Sequence, residues 1–403
     1  MQTRLPAALL ATPEGQEANR ILRNCVHCGF CTATCPTYQL TGNELDGPRG
    51  RIYLIKQLLE GEVSDDRVQY HLDRCLTCRS CETTCPSGVE YGRLIDIGRH
   101  QVNQVVCRST GPRLLRGLIL QVMPHPQRFG LLLNLARWIK PLLPAVWRSK
   151  LPAEQKTGNW PPPRHARKVI LLAGCAQASA TPLTNAAAAR VFDQLGISAI
   201  ESPLAGCCGA LAQHLDAGEA ARAAARRNID AWWPLVESGA EAIIGSASGC
   251  TLMLKEYAHL LAGDPVYADR AHQLQPLVRD LAEVLAEHDL SALARHRDAP
   301  LAVHVPCTLQ HGQQKPDLLP DLLRRAGYTL TPVADSHLCC GSAGSYSLLQ
   351  PELATQLRDN KLATLLQANP ARVVTANIGC QLHLASGTQQ PVQHWIELFD
   401  PAS

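Results

Sequence analysis

Two runs of cysteines near the start of the chain have the residue types and the spacing for redox chemistry. They read Cys25-Val-His-Cys28-Gly-Phe-Cys31-Thr-Ala-Thr-Cys35-Pro36 and Cys75-Leu-Thr-Cys78-Arg-Ser-Cys81-Glu-Thr-Thr-Cys85-Pro86. Both follow the pattern C-x2-C-x2-C-x3-C-P, in which closely spaced thiolates converge on an iron–sulfur cluster. A lone C-x2-C also occurs in zinc sites, and paired cysteines can form disulfides. Two complete four-cysteine runs, each closed by a proline, favour iron–sulfur over both alternatives.

The spacing also predicts which cysteines share a cluster. Three cysteines of each run wrap around one [4Fe–4S] cluster, whereas the fourth, held away by three residues and followed by proline, reaches the other cluster. The two predicted ligand sets are therefore Cys25, Cys28, Cys31 and Cys85 for one cluster, and Cys75, Cys78, Cys81 and Cys35 for the other. His27, inside the first run, is predicted to be a neighbour of its cluster rather than a ligand.

Composition narrows the class of protein. A chain of 403 residues predicts two to four domains, and a net charge of +3 argues against nucleic acid as a partner. The seventeen cysteines, most of them in motifs, indicate reduced thiols in a cytoplasmic compartment. Cys107 belongs to no motif and is predicted to be a buried thiol. No signal peptide and no apolar run of 18 residues is evident, so any membrane contact is predicted to be peripheral or through a partner.

Helical patterns surround the two runs. Residues 13–23 and 53–60 have helical spacing of apolar residues, and the second segment follows Gly47-Pro-Arg-Gly-Arg51. This organisation resembles the α-helical ferredoxin domain of respiratory dehydrogenase subunits, in which the Gly-Pro-Arg-Gly-Arg segment recurs. Arg49 and Arg51 either offset the charge of a cluster or begin a solvated helix.

Residues 97–153 contain no aspartate or glutamate. Basic residues alternate there with the leucine-rich segments 114–123 and 131–143 and with Trp138 and Trp147, a composition typical of an interfacial membrane helix. Several prolines interrupt the pattern, so two connecting helices packed on the core or on a partner subunit are the alternative. A proline-rich linker then leads to residue 166.

The rest of the chain is an internal duplication. Cysteines recur at offsets of 132, 132, 132 and 130 residues, as Cys175, Cys207, Cys208 and Cys250 and then Cys307, Cys339, Cys340 and Cys380. Each follows a predicted strand, and strands alternate with helices, which predicts a parallel α/β sheet in each copy. Because ligands bind at the carboxyl ends of such strands, we expect the eight cysteines to gather there, where the two copies face each other.

The spacing C-x31-C-C-G, followed about 40 residues later by Gly-Cys, resembles the cysteine-rich CCG domain. That domain occurs twice in heterodisulfide reductase B-type subunits and in iron–sulfur subunits of bacterial glycolate, lactate and glycerol-3-phosphate dehydrogenases. The domain order most resembles the glycolate oxidase (glycolate dehydrogenase) iron–sulfur subunits. The fold class expected is therefore α+β multidomain. The expected limits are 1–110 for an α-helical two-cluster ferredoxin domain, 111–166 for basic connecting helices and linker, and 167–298 and 299–403 for two α/β CCG repeats.

The resemblance implies an electron-transfer subunit without catalytic residues of its own. Two [4Fe–4S] clusters would pass electrons from glycolate oxidation to a membrane acceptor, quinone, at the cytoplasmic face of the bacterial inner membrane. No G-x-G-x-x-G after a strand and no Walker A loop is present, so FAD is expected on partner subunits. The alternatives are an iron–sulfur subunit of a D-lactate or glycerol-3-phosphate dehydrogenase, a thiol–disulfide reductase acting at the CCG cysteines, and a structural assembly protein.

The sequence departs from the heterodisulfide reductase pattern at one position in each copy. Ala247 and Asn377 stand where that pattern has the first cysteine of a closing C-x2-C. Four cysteines per copy still allow a further cluster, with reactive or structural thiols as the alternative. His304, His337 and His383 lie near these cysteines in the sequence and are candidate ligands, although hydrogen-bonded histidines are commoner.

Overall fold

A computed structural model describes residues 1–142, 144, 148, 151–295 and 299–402. Trp147 and the domain limits predicted at residues 298 and 403 lie outside these ranges. No helix within the described ranges is both long and apolar enough to cross a membrane.

The part of the chain that carries both cysteine runs is helical, as the sequence predicted. Its α-helices are Ala7–Leu10, Pro13–Asn24, Phe30–Ala33, Pro36–Thr41, Pro48–Leu59, Asp66–Asp73, Ser80–Thr83 and Tyr91–Val105, with a 3-10 turn at Glu44–Asp46. Proline begins several of these helices because its missing N–H is not needed there. Ile21, Ile55 and Leu94 are fully buried in the common core of the longer helices, and this core fixes the two cysteine runs that join them.

A helical hairpin follows. It consists of Thr110–Val122, Pro126–Trp138 and a 3-10 turn at Lys140–Leu142. Arg116 ties it to the helical domain through an ion pair of 2.9 Å with Asp73. Cys107, just before the hairpin, is exposed. The prediction of a buried thiol was therefore wrong, because this cysteine lies in the short connection between two helices rather than on a packed face.

The remainder forms two parallel sheets. The strands are β1 (Arg167–Leu171), β2 (Ile197–Ile200), β3 (Ala242–Gly245), β4 (Val278–Asp280), β5 (Leu301–His304), β6 (Arg372–Thr375) and β7 (Val392–His394). Their order is β2-β1-β3-β4 in one sheet and β5-β6-β7 in the other, and every pair is parallel. The surrounding α-helices are Gln177–Ala180, Leu183–Gln194, Ala210–His214, Gly218–Glu237, Ser248–Lys255, Tyr257–Leu260, Ala268–Leu274, Leu281–Leu285, Leu318–Arg325, Tyr346–Leu349, Pro351–Leu366 and Ile378–Ala385. Shorter turns are Gln275–Leu277, Ser291–Leu293, the π-helical Thr308–Gly312, and Trp395–Phe399.

The two sheets share one register, as expected of a duplication. Val169 pairs with Ala242 in the first copy, and Leu301 pairs with Arg372 in the second, at the same offsets of 132 and 130 that relate the cysteines. A parallel bridge between Leu301 and Leu330 takes the place of β2 in the second copy. Both copies contribute to a single core, in which Phe192 of the first packs in one cluster with Trp395 of the second.

Candidate metal centres

The first predicted ligand set is assembled around one cavity. Cys25, Cys28, Cys31 and Cys85 all line it, Cys81 of the second set reaches it as well, and most of the other neighbours are apolar. Cys28 is the exposed member of the set, whereas Cys25 is buried. Four converging thiols in an apolar surrounding are the donor set that a [4Fe–4S] cluster requires, so the residues present fit the cofactor.

The backbone of each run curls around its site through two residues of left-handed conformation. These are His27 (φ 57°) and Gly29 (φ 87°) in the first run, and Thr77 (φ 54°) and Arg79 (φ 60°) in the second. Turns that contain left-handed residues can direct consecutive backbone N–H groups toward a common point and so form an anion-binding concavity. The Thr77 N–H accordingly lies 3.4 Å from the sulfur of Cys75.

The second predicted set is more deeply enclosed. Cys35, Cys75 and Cys81 are buried and Cys78 is partly exposed. The hydroxyl of Tyr91 donates to the Cys75 sulfur across 3.6 Å. Burial raises the pKa of the Cys81 thiol well above its ordinary value, and the proximity of Cys78, Cys75 and Cys35 raises it further. Thiolates can persist in such a site only when bound iron compensates their charge.

A buried ionic network lies against this second set. Asp46 is fully buried and is paired with Arg74 at 2.5 Å, with His71 at 2.9 Å and with Arg51 at 3.8 Å. The guanidinium of Arg51 donates to the hydroxyl of Thr37 at 3.2 Å. Of the two alternatives for this residue, the structure therefore contradicts the solvated helix start.

Arg49 differs from Arg51. It is partly exposed and forms an ion pair of 2.6 Å with Glu44 at the surface. Its guanidinium also approaches Gly29, where an added Cβ would lie 2.7 Å from it. Glycine at this position therefore provides both the left-handed conformation and the space for the arginine.

The four cysteines of the first repeat form a continuous series of thiol contacts. Cys175 contacts Cys207, Cys207 contacts Cys208, and Cys208 contacts Cys250. The hydrogen bonds from Cys175 and Cys208 lower the pKa of the Cys207 thiol. Gly209 follows the pair with a φ of 89°, and its N–H lies 3.5 Å from the sulfur of Cys207.

The second repeat has the same arrangement. The sulfurs of Cys307 and Cys339 are 3.9 Å apart, and Cys340 contacts both Cys339 and Cys380. Gly341, at a φ of 86°, donates its N–H to the sulfur of Cys339 at 3.4 Å. The backbone at the last position of each Cys-Cys-Gly motif is therefore left-handed, a conformation that favours glycine. This conformation directs the backbone N–H of the glycine at a cysteine sulfur.

The cysteine sets flank the contact between the two repeats. The Ser248 hydroxyl, two residues before Cys250, lies 2.7 Å from the Thr308 hydroxyl, which follows Cys307. The Ser248 N–H donates to the carbonyl of Ala376 at 2.9 Å. Each contact therefore connects the strand ends that carry the cysteines of one repeat with those of the other.

The second repeat also contacts the dicluster region, which sequence reasoning did not anticipate. Cys78 and Cys307 pack together with Cys339 and Tyr346 in one cluster. The hydroxyl of Thr83 lies 2.9 Å from Nδ1 of His311, a residue that no motif singled out. The first repeat meets the same region differently, since its Glu256 is paired with Arg79 and Arg93.

The three candidate histidines have different environments. His337 accepts a hydrogen bond from His311 through its backbone carbonyl at 2.8 Å, and the His383 ring donates to the carbonyl of Ala354 at 3.1 Å. Of the three, only His304 belongs to a close group, in which one ring nitrogen lies within 4.8 Å of the sulfurs of Cys340 and Cys380. Burial lowers the pKa of its ring to about 3. The neutral imidazole is the form that binds metals.

The position of the missing cysteine in the second repeat is occupied by an amide that contacts the thiol set. Asn377 donates its side-chain N–H to the sulfur of Cys380 at 3.4 Å. In the first repeat the equivalent residue is Ala247, which is buried directly before the helix Ser248–Lys255. Neither position supplies a fifth thiolate.

A helical dicluster domain followed by two cysteine-lined parallel α/β repeats defines a class of iron–sulfur electron-transfer proteins. Residues 21–89 match the family described as a 4Fe-4S dicluster domain, and residues 169–255 and 301–385 each match the cysteine-rich domain. The chain is 55% identical over its full length to the glycolate oxidase iron-sulfur subunit of Escherichia coli K12, covering 99% of that relative. It is 31% identical to the probable glycolate oxidase iron-sulfur subunit of Bacillus subtilis 168, over 92% of this chain and 89% of the relative. The chain belongs to the family of glycolate oxidase iron–sulfur subunits.

Two more distant proteins are also similar to this chain. Lactate utilization protein A of an Exiguobacterium species is 25% identical over 54% of this chain and 88% of its own length. A hypothetical protein from Helicobacter pylori of known crystal structure matches with a TM-score of 0.56 at 10% identity, over 96% of this chain and 71% of its own. The latter shows that the fold is shared. The family and fold class expected from the sequence are both confirmed.

Proposed function

We propose that this chain is the electron-transfer subunit of a flavin-dependent complex that oxidises glycolate to glyoxylate and delivers the electrons to quinone in the membrane. FAD belongs to partner subunits in this proposal, and the chain itself contributes no catalytic residue. The observation that carries the proposal is a series of thiol sets that begins at the exposed Cys28 and continues to Cys78 and Cys307, which pack against one hydrophobic cluster. The family membership supplies the substrate class.

The eight cysteines of the two runs are the proposed cluster ligands, in the sets assigned from their spacing. The proposed domains are residues 1–110, 111–166, 167–298 and 299–403. When bound, the [4Fe–4S] clusters provide one-electron carriers. The chain holds them through thiolates, through amides of left-handed residues and, at the second set, through Tyr91 and Arg51. The cysteines of the two repeats are proposed as additional metal ligands.

The first set offers the surface through which a flavin subunit can exchange electrons. Its Cys28 is exposed, and the neighbouring side chains of Val26 and Phe30 are 67% and 61% exposed. Exposed apolar side chains around an accessible redox centre are the composition expected of a transient protein interface. We therefore place the flavin-bearing partner at this face.

The helical hairpin is the proposed contact with the cytoplasmic face of the inner membrane. Leu131 and Trp138 are 71% and 81% exposed on one of its helices, and Leu114 is 73% exposed on the other. Arg113 and Lys140 are exposed nearby, and no acidic residue lies within 97–153. Apolar side chains with basic flanks suit the boundary of an anionic bilayer.

The test is an anaerobic purification of the tagged chain from its native host, followed by addition of glycolate. We expect a flavoprotein to copurify and the visible absorbance of the clusters to bleach with glycolate. If only D-lactate, glycerol-3-phosphate or a thiol reduces the clusters, the glycolate assignment is wrong while the electron-transfer role remains. If no donor reduces them, the electron-transfer role is wrong as well.

Cys78→Ser separates electron transfer from a structural role. We expect loss of electron flow to quinone with assembly and substrate binding retained. Cys107→Ser is the matched control, because Cys107 is exposed and lies outside every thiol set. Normal turnover in an assembled Cys78→Ser complex would contradict the proposal.

A further inference from the structure

A buried lysine lies beside the thiol set of the second repeat. Lys361, on the helix Pro351–Leu366, is only 4% exposed. Its ammonium donates to the backbone carbonyl of Asp335 at 2.7 Å and to that of Ser336 at 3.4 Å, in the segment that leads to the Cys-Cys-Gly motif. Among the residues that the structure describes, it forms no ion pair with a carboxylate. Because a buried charge without a partner is costly, this ammonium needs a negative group nearby.

The thiols of the same repeat provide that negative group. Burial lowers the pKa of the Lys361 ammonium, whereas thiolates at Cys340 and Cys339 and the exposed carboxylate of Asp335 raise it. We propose that Lys361 is the buried counter-cation of the thiolate set in the second repeat. In this role it makes the second repeat, rather than the first, the electron acceptor of the cluster at the second cysteine set. The inference rests on the electron-transfer role proposed above.

The first repeat has a neutral side chain at the same place. A Cβ added at the motif glycine would meet the backbone oxygen of Ala221 in the first repeat and that of Ala354 in the second, so the two helices correspond at an offset of 133 residues. This offset places Asn228 where the second repeat has Lys361. Asn228 is fully buried and donates to the carbonyl of Cys207 at 3.0 Å. Both side chains therefore hold backbone at a Cys-Cys-Gly motif, but only the lysine brings a charge.

The preceding position shows that the cation and the amide are exchanged between the repeats. Arg227 precedes Asn228, and Asn360 precedes Lys361. Arg227 is exposed, and its guanidinium donates to the carbonyl of Cys207 at 3.4 Å. Solvent screens an exposed charge, whereas a buried charge acts through a lower effective dielectric constant. The stronger electrostatic effect on a thiol set is therefore expected in the second repeat.

A buried cation at the thiolates favours an electron there. An added electron is an added negative charge, so a nearby positive charge stabilises the reduced form and raises the reduction potential. In the proposed step one electron leaves the cluster at the second cysteine set and one is gained at the second repeat, and no bond is made or broken. Cys307 and Cys339 lie within electrostatic range of Cys78. Proximity and charge thus favour the same repeat, because electrons move toward the higher potential.

The test is a mediated redox titration of the intact complex, purified anaerobically with its iron and followed by electron paramagnetic resonance. The relevant signal is the one that belongs to neither cluster of the cysteine runs and that Cys307→Ser abolishes. In Lys361→Gln we expect its ratio of reduced to oxidised form to fall about tenfold at a fixed ambient potential, which corresponds to about 59 mV for one electron. The two clusters of the cysteine runs should keep their potentials.

Two further variants separate burial from charge. Arg227→Gln is the matched control and should leave the ratio unchanged, because this cation is exposed and belongs to the first repeat. Lys361→Asn combined with Asn360→Arg gives the second repeat the order of the first. We expect this combined variant to keep the tenfold fall, although it has regained a cation.

Four results would overturn the proposal: no signal beyond those of the two clusters, an unchanged ratio in Lys361→Gln with iron retained, an equal fall in Arg227→Gln, or a wild-type ratio in the combined variant. If Lys361→Gln loses iron, Lys361→Arg decides, because it keeps the charge. Wild-type iron and ratio in Lys361→Arg support the proposal, and loss of iron or an altered ratio overturns it. Mediators reduce the protein without glycolate, so the glycolate assignment can fail while this inference stands.

Discussion

Arg51 is a buried cation beside the second cysteine set, and its removal should change the reduction potential there. Its side chain is 1% exposed, its guanidinium lies 3.2 Å from the Thr37 hydroxyl, and that hydroxyl lies 3.3 Å from the sulfur of Cys35. A reduced cluster carries one more negative charge than an oxidised one, so a nearby cation stabilises the reduced form. Arg51→Met should therefore lower the midpoint potential of the centre bound by Cys35.

The magnitude follows from these distances. They put the guanidinium within about 6.5 Å of the sulfur, at which an effective dielectric constant of about 20 gives an interaction of about 2.5 kcal/mol. For a one-electron couple this corresponds to a shift of roughly 100 mV to more negative potential. Loss of one buried ion-pair partner also costs about 3–5 kcal/mol of stability. Asp46 keeps Arg74 as a partner, at 2.5 Å.

The assay is a redox titration of the two clusters by electron paramagnetic resonance in the purified complex. Arg51→Lys keeps the charge and should stay close to the wild-type potential. Arg49→Met is the matched control, because Arg49 is partly exposed and already paired with Glu44, so solvent screens its charge. An unchanged potential in Arg51→Met with both clusters present, or an equal shift in Arg49→Met, would refute the reasoning.

Three further predictions concern stability and membrane contact. Burial raises the pKa of the Glu397 carboxyl to about 7, so the folded chain holds a proton that the unfolded chain releases, and stability falls as the pH rises from about 4.5 to 7. Glu397→Gln should abolish up to about 3 kcal/mol of this pH-dependent fall in the free energy of unfolding. The variant would contradict this if its melting temperature differed from that of the wild type by the same amount at pH 5 and at pH 8. Leu131→Glu combined with Trp138→Glu should abolish sedimentation with anionic vesicles, and wild-type sedimentation would exclude the hairpin as the membrane contact. Gly341→Ala should destabilise the fold by about 2–3 kcal/mol, because the added Cβ would lie 2.7 Å from a backbone oxygen at a residue of positive φ. Gly209→Ala should destabilise it less, because the nearest atom there is 3.2 Å away. Equal denaturation midpoints for the two variants would argue against this reason.

Secondary structure that depends on local pattern was predictable. The helix at residues 13–23 and the strands β1, β3, β5 and β6 carry buried apolar runs or helical spacing, and the structure contains them. β4 and β7 were missed because they are three residues each, too short for any periodicity to be recognised. Each is fixed instead by pairing with the longer strand beside it.

Features of the site also divide into those that local sequence predicts and those that depend on tertiary packing. The grouping of the dicluster cysteines stays a prediction, which rests on the spacing that the geometry of a cluster imposes within each run. The burial of Arg51 depends on Asp46 and His71, which reach it only through tertiary packing. The pairing of His304 with Thr375 spans 71 residues and depends on sheet register. No local pattern contains such information.

The docking of the repeats on the dicluster region could not be predicted either, and it gives the two copies unequal roles. The first repeat contacts that region through Glu256, which is paired with Arg79 at 3.0 Å and with Arg93 at 2.5 Å. Ion pairs of this kind fix orientation but bring no redox-active group close. The second repeat instead brings Cys307 to the same hydrophobic cluster against which Cys78 packs. Because electron transfer depends on proximity between centres, a centre held by the second repeat would be the one placed to exchange electrons with the second cysteine set, where Cys307 and Cys339 lie within electrostatic range of Cys78.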